Sequence, residues 1–427
     1  MNRKNQPAVQ RLEEMHIMTP ERLMLPDGIP LAVIRAGEQE VVRLDILFHS
    51  GRWHQSQKLE ALFTARMLQE GTRAHEASFL AERLDGLGSW LSSYCTSTFS
   101  GLTIYSLNKH LAETLDLVNE MIREPLFSQD RLDRVTEVNL QQFRVNMSKV
   151  DLPAQRVLMR GLYGENHPCG QWVEEEDYRV LTPQLLRGFH EKHFRSKNCS
   201  VYVSGKVTDE VLKELERVFT SPFGDERDSL ALSDYPLSTT TEKRFFVSRD
   251  TALQSAVKLG CLTLERTHPD YLKLKVLVTA LGGYFGSRLM STIREEKGYT
   301  YGIGAGISHY PDGGFLCIST ETDNIYVKPL IELVYREIER LQCESISEEE
   351  LSVVRNYMLG EMCRGYESAF SLSDAWIAVD TAGLGGDYFA RSLHAINETS
   401  AEELRLMAQK YLCKESLKEA VVGKKLS

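Results

Sequence analysis

Arg294 and Tyr301 flank the segment Glu295-Glu-Lys-Gly-Tyr-Thr300. A guanidinium and a phenol are both hydrogen-bond donors at neutral pH. Held on rigid elements, the two can donate to an oxyanion. The elements that must hold them can be read around them. Leu289, Met290 and Ile293 recur at helical spacing from Gly286. Gly298 ends that helix, because glycine takes the left-handed conformation a helix C-terminus needs. Thr300 to Ile307 reads as a strand, with Gly302, Gly304 and Gly306 leaving one face bare. The plainer alternative is that Arg294 pairs with Glu295, Glu296 or the linker and Tyr301 is a half-buried strand tyrosine.

Arg294-x-x-Lys-Gly-x-x-Tyr301, preceded by Ser287-Arg-Leu289, resembles the C-terminal half of the pitrilysin/insulinase family of inverted-motif zinc metallopeptidases. In that family this arginine and tyrosine bind substrate and stabilise the tetrahedral intermediate. The resemblance also implies a zinc helix, His-x-x-Glu-His before a Gly-Thr, in the first half. The corresponding helix here is Leu59 to Glu70, followed by Gly71-Thr72. Leu62 and Arg66 stand where the two histidines belong, and Ala65 where the general-base glutamate belongs. Aligning Leu132 to Phe143 with the family's next long helix puts Gln142 at the third ligand and Val135 at a second acidic position. Zinc takes three nitrogen or carboxylate ligands and keeps a fourth position open, and these residues supply none. On its own terms the helix is an ordinary core helix, striped by Leu59, Leu62, Phe63 and Met67. The Arg66 cation either takes the space of the missing ion, bonded to Gln142, or extends to the surface.

A rival metal reading is His190-Glu-Lys-His193, two histidines on one helix face. No third ligand lies nearby in sequence, and packing histidines serve equally well. Gly302-x-Gly304-x-Gly306 is not a dinucleotide fingerprint, since it lies in a strand and Ile307 replaces the third glycine. Glu174-Glu-Glu-Asp177 reads as a solvated acidic loop.

The chain has 427 residues, a net charge of −10, 42% hydrophobic and 26% charged residues. That length implies more than one domain, and the acidic balance argues against nucleic-acid binding. The eight cysteines form no Cys-x-x-Cys pair, which suits reduced thiols in a cytoplasm-like compartment. The N-terminus shows no secretory apolar region, and no run reaches the roughly 18 apolar residues of a membrane span.

In chain order, a hairpin is expected around Pro26-Asp27-Gly28, and Val41 to Phe48 alternates as a half-buried strand. Strand sequence runs from Trp90 to Tyr105, and amphipathic helices follow to Phe219. Thr220 to Lys243 is rich in Ser, Thr, Pro, Asp and Gly and reads as a linker. The pattern then restarts: Gly101-Leu-Thr-Ile-Tyr-Ser106 and Leu115 to Ile122 are echoed by Gly314-Phe-Leu-Cys-Ile-Ser319 and Ile331 to Ile338. The division is therefore a lead-in at 1–20, a first domain at 21–219, a linker at 220–243 and a second domain at 244–427. The fold class is α+β, two tandem homologous domains, each a mixed sheet with helices on one side. The resemblance implies that such a pair forms half of a clamshell.

The resemblance implies a catalytically incomplete subunit with no zinc of its own. Arg294 and Tyr301 would act in trans, beside zinc held by a homologous partner, on a peptide substrate added as a strand to a sheet edge. The alternatives are a structural or chaperone-like non-peptidase, and a self-associating peptide-binding protein.

Overall fold

Pro26 and Asp27 turn the chain and Gly28, at φ +83°, lets it return. Strand β1 (Glu21–Met24) thereby pairs antiparallel with β2 (Pro30–Arg35). The computed structural model describes residues 15–220, 222–224 and 232–425. Most of the 1–20 lead-in and part of the 220–243 linker therefore lie outside the described residues.

The other strands of the first half are β3 (Val41–Phe48), β4 (Trp90–Cys95), β5 (Ser100–Leu107) and β6 (Cys199–Gly205). Its helices are α1 (Glu60–Met67), α2 (Ala77–Gly86), α3 (Leu111–Arg123), α4 (Gln129–Ser148), α5 (Asp151–Tyr163), α6 (Glu175–Arg179), α7 (Pro183–His193) and α8 (Asp209–Val218). The second half has β7 (Arg244–Ser248), β8 (Gln254–Thr263), β9 (Ile303–Tyr310), β10 (Gly313–Asp323) and β11 (Lys418–Gly423). It carries α9 (Tyr271–Val278), α10 (Val327–Cys343), α11 (Glu348–Gly365), α12 (Ala369–Asp380), α13 (Tyr388–Glu398) and α14 (Ala401–Tyr411).

The two sheets share one plan. The first runs β1-β2-β6-β3-β5-β4 and the second β7-β11-β8-β10-β9. In each, one parallel pair, β2 with β6 or β7 with β11, joins an otherwise antiparallel sheet. Two mixed sheets of the same order make the fold α+β and tandem.

Each sheet packs one face on its own half's helices. Leu31, Val33, Leu44, Ile46, Val201 and Val203 meet Phe63, Leu115, Val118 and Leu186 there. The other face receives a helix from the opposite half. Ile34 packs with Leu372 and Trp376 of α12, and Ile377 closes on Leu47, Phe99 and Tyr202. Reciprocally, Ala154, Leu158 and Leu162 of α5 pack on Ala256, Phe315, Ala420 and Val422. α5 and α12 both follow the long helix of their half, so the exchange obeys the repeat. It also corrects the expectation that β3 is half-buried: from Val42 to Phe48 every residue is buried.

Three further expectations change. The stretch from Trp90 to Tyr105 is a hairpin, broken where the Thr96 amide donates to the Phe99 carbonyl. Glu174 to Asp177 is not a solvated loop but the start of α6. The Asp177 carboxylate accepts from the Glu174 amide, and Glu174, Glu175 and Asp177 pair with Arg156, Arg144 and Lys58. The expected strand from Thr300 begins only at Ile303. Among the described residues, no helix is long and apolar enough to cross a membrane.

Candidate functional site

Arg294 lies in a π-helical turn, Met290–Glu296. Such a wide turn offsets side chains from the normal helical stripe. Gly298, at φ +65°, ends it as expected. The Gly298 amide donates to the Arg294 carbonyl at 3.1 Å and the Tyr299 amide to the Ile293 carbonyl at 3.0 Å. The Arg294 guanidinium rests over the Phe285 ring, 4.4 Å from its centroid, a cation–π contact that leaves its N–H groups available. Among the described residues no ion pair engages Arg294, so the pairing with Glu295 or Glu296 does not form.

Tyr301 precedes β9 and is 92% exposed. The backbone on either side of it is pinned. The Thr300 hydroxyl donates to the Glu321 carbonyl at 2.7 Å, and the Thr320 hydroxyl to the Gly302 carbonyl at 2.8 Å. The Thr322 hydroxyl donates to the Tyr299 carbonyl at 2.5 Å. A half-buried strand tyrosine is therefore not what stands here. The turn places the two residues in sequence-local proximity, but no hydrogen bond or cation–π contact joins their side chains among the described residues.

The helix at the zinc position, α1, begins after Leu59, whose φ of +70° turns the chain into it. Leu62 packs on the first-half core, and Ala65 is 0% exposed. Arg66 is half-buried, and burial lowers its pKa from the ordinary value. Gln142 is exposed and donates its amide to Asn146 Oδ1 at 3.1 Å, so the expected Arg66–Gln142 bond is absent. Arg66 instead faces a cleft of about 390 Å³ with Ser93, Arg131, Val135 and Asn139. An aliphatic side chain, a buried methyl, a cation and an amide turned to its own helix do not fit a zinc ion.

Among the described residues no three His, Cys, Asp or Glu side chains are grouped to hold a metal. His190 and His193 serve packing. His190 Nε2 lies 2.8 Å from the Ile122 carbonyl, and its ring stacks on Phe194. His193 packs against Phe189 and His54. Burial pushes His190 and His54 down to about 4 and His193 to about 3, so all three are neutral.

Sequence reasoning missed a larger cleft of about 870 Å³ between the halves. At its floor Arg43 of β3 bonds Asp45 beside it and Asp374 of α12, at 2.9 and 2.5 Å. The usable signal was two charges inside a strand, Val-Val-Arg-Leu-Asp, that is otherwise apolar. Asp374 could not be foreseen, because nothing local places α12 there.

With this geometry in hand, two family profiles match the chain. One, described as insulinase (peptidase family M16), covers residues 31–167, and the other, the peptidase M16 inactive domain, covers residues 181–358. This chain belongs to the insulinase family. It is similar to the uncharacterized zinc protease YmxG of Bacillus subtilis, 23% identical over 82% of this chain and 85% of that protein. It is also similar to the non-peptidase homolog YmxG of Helicobacter pylori, 23% identical over 80% of this chain and 78% of that one. Its fold matches the crystal structure of a peptidase M16 inactive domain from Pseudomonas fluorescens. That match has a TM-score of 0.86 at 21% identity, over 96% of this chain and 99% of that one. A protease from Helicobacter pylori matches with a TM-score of 0.85 at 16% identity, over 96% and 100% of the two chains.

Proposed function

We propose that this chain is a catalytically incomplete insulinase-family subunit that lends Arg294 and Tyr301, in trans, to peptide held by a homologous zinc-bearing partner in a cytoplasmic heterodimer. The observation that carries the reading is Tyr301, 92% exposed on a backbone pinned by threonine hydroxyls. An aromatic that contributes so little to its own core, yet is held so firmly, is built to meet something outside the chain. Arg294, on the other side of the Gly298 turn, keeps its donors free over Phe285. The partner's zinc supplies the activated water. The residues of this chain orient the peptide carbonyl and stabilise charge developing on its oxygen.

The test is reconstitution with a zinc-bearing homologue and turnover of a quenched peptide. Tyr301→Phe and Arg294→Ala are expected to leave folding, assembly and the partner's zinc content unchanged, and to lower turnover about 10²–10³-fold. Undiminished turnover in both variants overturns the proposal.

A second reading is a peptide-binding or structural protein with no part in hydrolysis. The open edge of β4, the last strand of its sheet, favours peptide binding in its own right. The non-peptidase name of the Helicobacter relative favours the loss of hydrolysis. Co-purification separates the two readings, since only the first requires a zinc-bearing companion.

A further inference from the structure

We propose that the cleft around Arg66 binds the carboxylate of a peptide lying as an added strand along β4. The inference rests on the reading that this chain binds peptide, and it names the chemistry such a peptide must carry.

Arg66 is half-buried, yet no hydrogen bond or ion pair engages its guanidinium among the described residues. The neighbouring arginines are occupied. Arg131 donates to Glu70 from Nε at 2.8 Å, and Arg134 lies 3.3 Å from Asp130. The two polar groups closest in charge to Arg66 are Cys95 and Tyr178, and neither is an anion. Burial pushes the Cys95 thiol up to about 11 and raises the Tyr178 phenol above its ordinary value. Arginine does not lose its proton. A partly desolvated cation therefore stands without a counter-ion, an arrangement that is unfavourable until an anion arrives.

The surroundings are cationic as well. The cleft is lined by Arg66, Arg131, Arg134 and Glu70, and even with Asp130, which pairs Arg134, the guanidinium groups outnumber the carboxylates. The whole chain carries −10. A net positive recess on an acidic protein draws an anion toward it.

The position selects a peptide carboxylate from among anions. The cleft lies between α1, α4 and β4, with Ser93 of β4 in its wall. β4 pairs only with β5, so its outer backbone groups are unpaired among the described residues. Side chains alternate along it. Leu91 and Cys95 turn to the helix side with Ser93, and Ser92 and Tyr94 to the cleft between the halves. An added strand follows the same alternation, so every second residue of a bound peptide faces the Arg66 side. The guanidinium fork matches a carboxylate with two parallel bonds, here that of the peptide's C-terminus. The strand edge supplies main-chain bonds that a free anion cannot use.

The experiment uses the full chain and a dansylated seven-residue peptide of alternating threonine and valine, with either a free C-terminal carboxylate or an amide. Fluorescence anisotropy reads binding to wild type, Arg66→Gln and Arg66→Lys. Wild type is expected to prefer the carboxylate form about tenfold, the scale of one charge-assisted bond pair. Arg66→Gln is expected to bind both forms alike, and Arg66→Lys to keep part of the preference. Inorganic phosphate is expected to erase the preference without displacing the amide. Equal binding of both forms to wild type, or a preference that survives Arg66→Gln, overturns the carboxylate site and leaves the peptide-binding reading intact. Displacement of both forms by phosphate places the anion elsewhere and also overturns it. If neither form binds wild type, the peptide-binding reading itself fails. Near-ultraviolet circular dichroism of each variant confirms that the fold is unchanged.

Discussion

At the scale of single residues, α1 leaves no room for an acidic side chain at Ala65. Ala65 has no exposed surface, while Gln142 is in open water. The two positions should therefore respond oppositely to the acidic residues the family uses. Ala65→Glu buries a carboxylate with no partner, and its expected cost is at least about 2 kcal/mol. Gln142→Glu stays within about 0.5 kcal/mol of wild type, as exposed substitutions do. Urea denaturation of the two variants measures this. A harmless Ala65→Glu would mean that the helix can still open a pocket at that position. That Leu62 and Arg66 cannot ligate zinc needed no structure, since neither side chain offers a ligand atom. What they do instead did need one. Whether Arg66 reaches Gln142 or the surface depends on helix rotation, and the structure shows it half-buried in a cleft, without a bond to Gln142.

At the scale of elements, α7 carries the buried His190 and His193, the latter packed on His54, and the three are expected to make stability fall in acid. His190 and His54 are pushed down to about 4 and His193 to about 3, in each case first by burial. In the unfolded chain a histidine titrates near 6.5. Between that value and about 4 the unfolded state binds more protons, so stability falls as pH falls through this window and is unaffected above it. Each histidine contributes a slope of up to about 1.4 kcal/mol per pH unit. His193→Phe keeps the aromatic contact with Phe189 and is expected to flatten the decline of the urea midpoint between pH 6.5 and 4. An unchanged slope would assign the acid sensitivity to other groups. Elements with a clean period were legible from sequence, β3 down to its end residues. Those without one were not. β7 and β11 are short, and β11 lies between β7 and β8 only because the chain returns there. α12 reads Ala-Phe-Ser-Leu-Ser-Asp-Ala-Trp-Ile-Ala-Val-Asp, with polar and apolar residues mixed around the helix because it packs between the two halves. The π-helical turn that offsets Arg294 has no period for which a 3.6-residue search would look.

At the scale of the whole molecule, the exchange of α5 and α12 joins the halves more tightly than tandem domains require. The two central strands each hold a cation that bonds the visiting helix. Arg43 of β3 reaches Asp374 of α12 at 2.5 Å, and Lys258 of β8 reaches Asp151 of α5 at 2.7 Å. Both cations are almost wholly buried, with side chains 9% and 6% exposed. Tandem domains joined by a plain linker commonly unfold in separate steps. Here neither sheet keeps its second face covered if the other half unfolds, since Ile34, Leu47 and Tyr202 are covered by α12 and Ala256, Phe315 and Val422 by α5. Unfolding is therefore expected as one cooperative transition in scanning calorimetry. Arg43→Met tests the coupling from one side, because it leaves Asp45, 2% exposed, without its counter-ion, at a cost of about 3–5 kcal/mol. Lys258→Met tests it from the other. If the halves are coupled, each substitution lowers the single midpoint of the entire chain and neither splits it. Two resolved transitions in wild type, or an Arg43→Met variant in which only half of the unfolding heat moves to lower temperature, would show the exchanged helices to be passengers and the two halves to be independent.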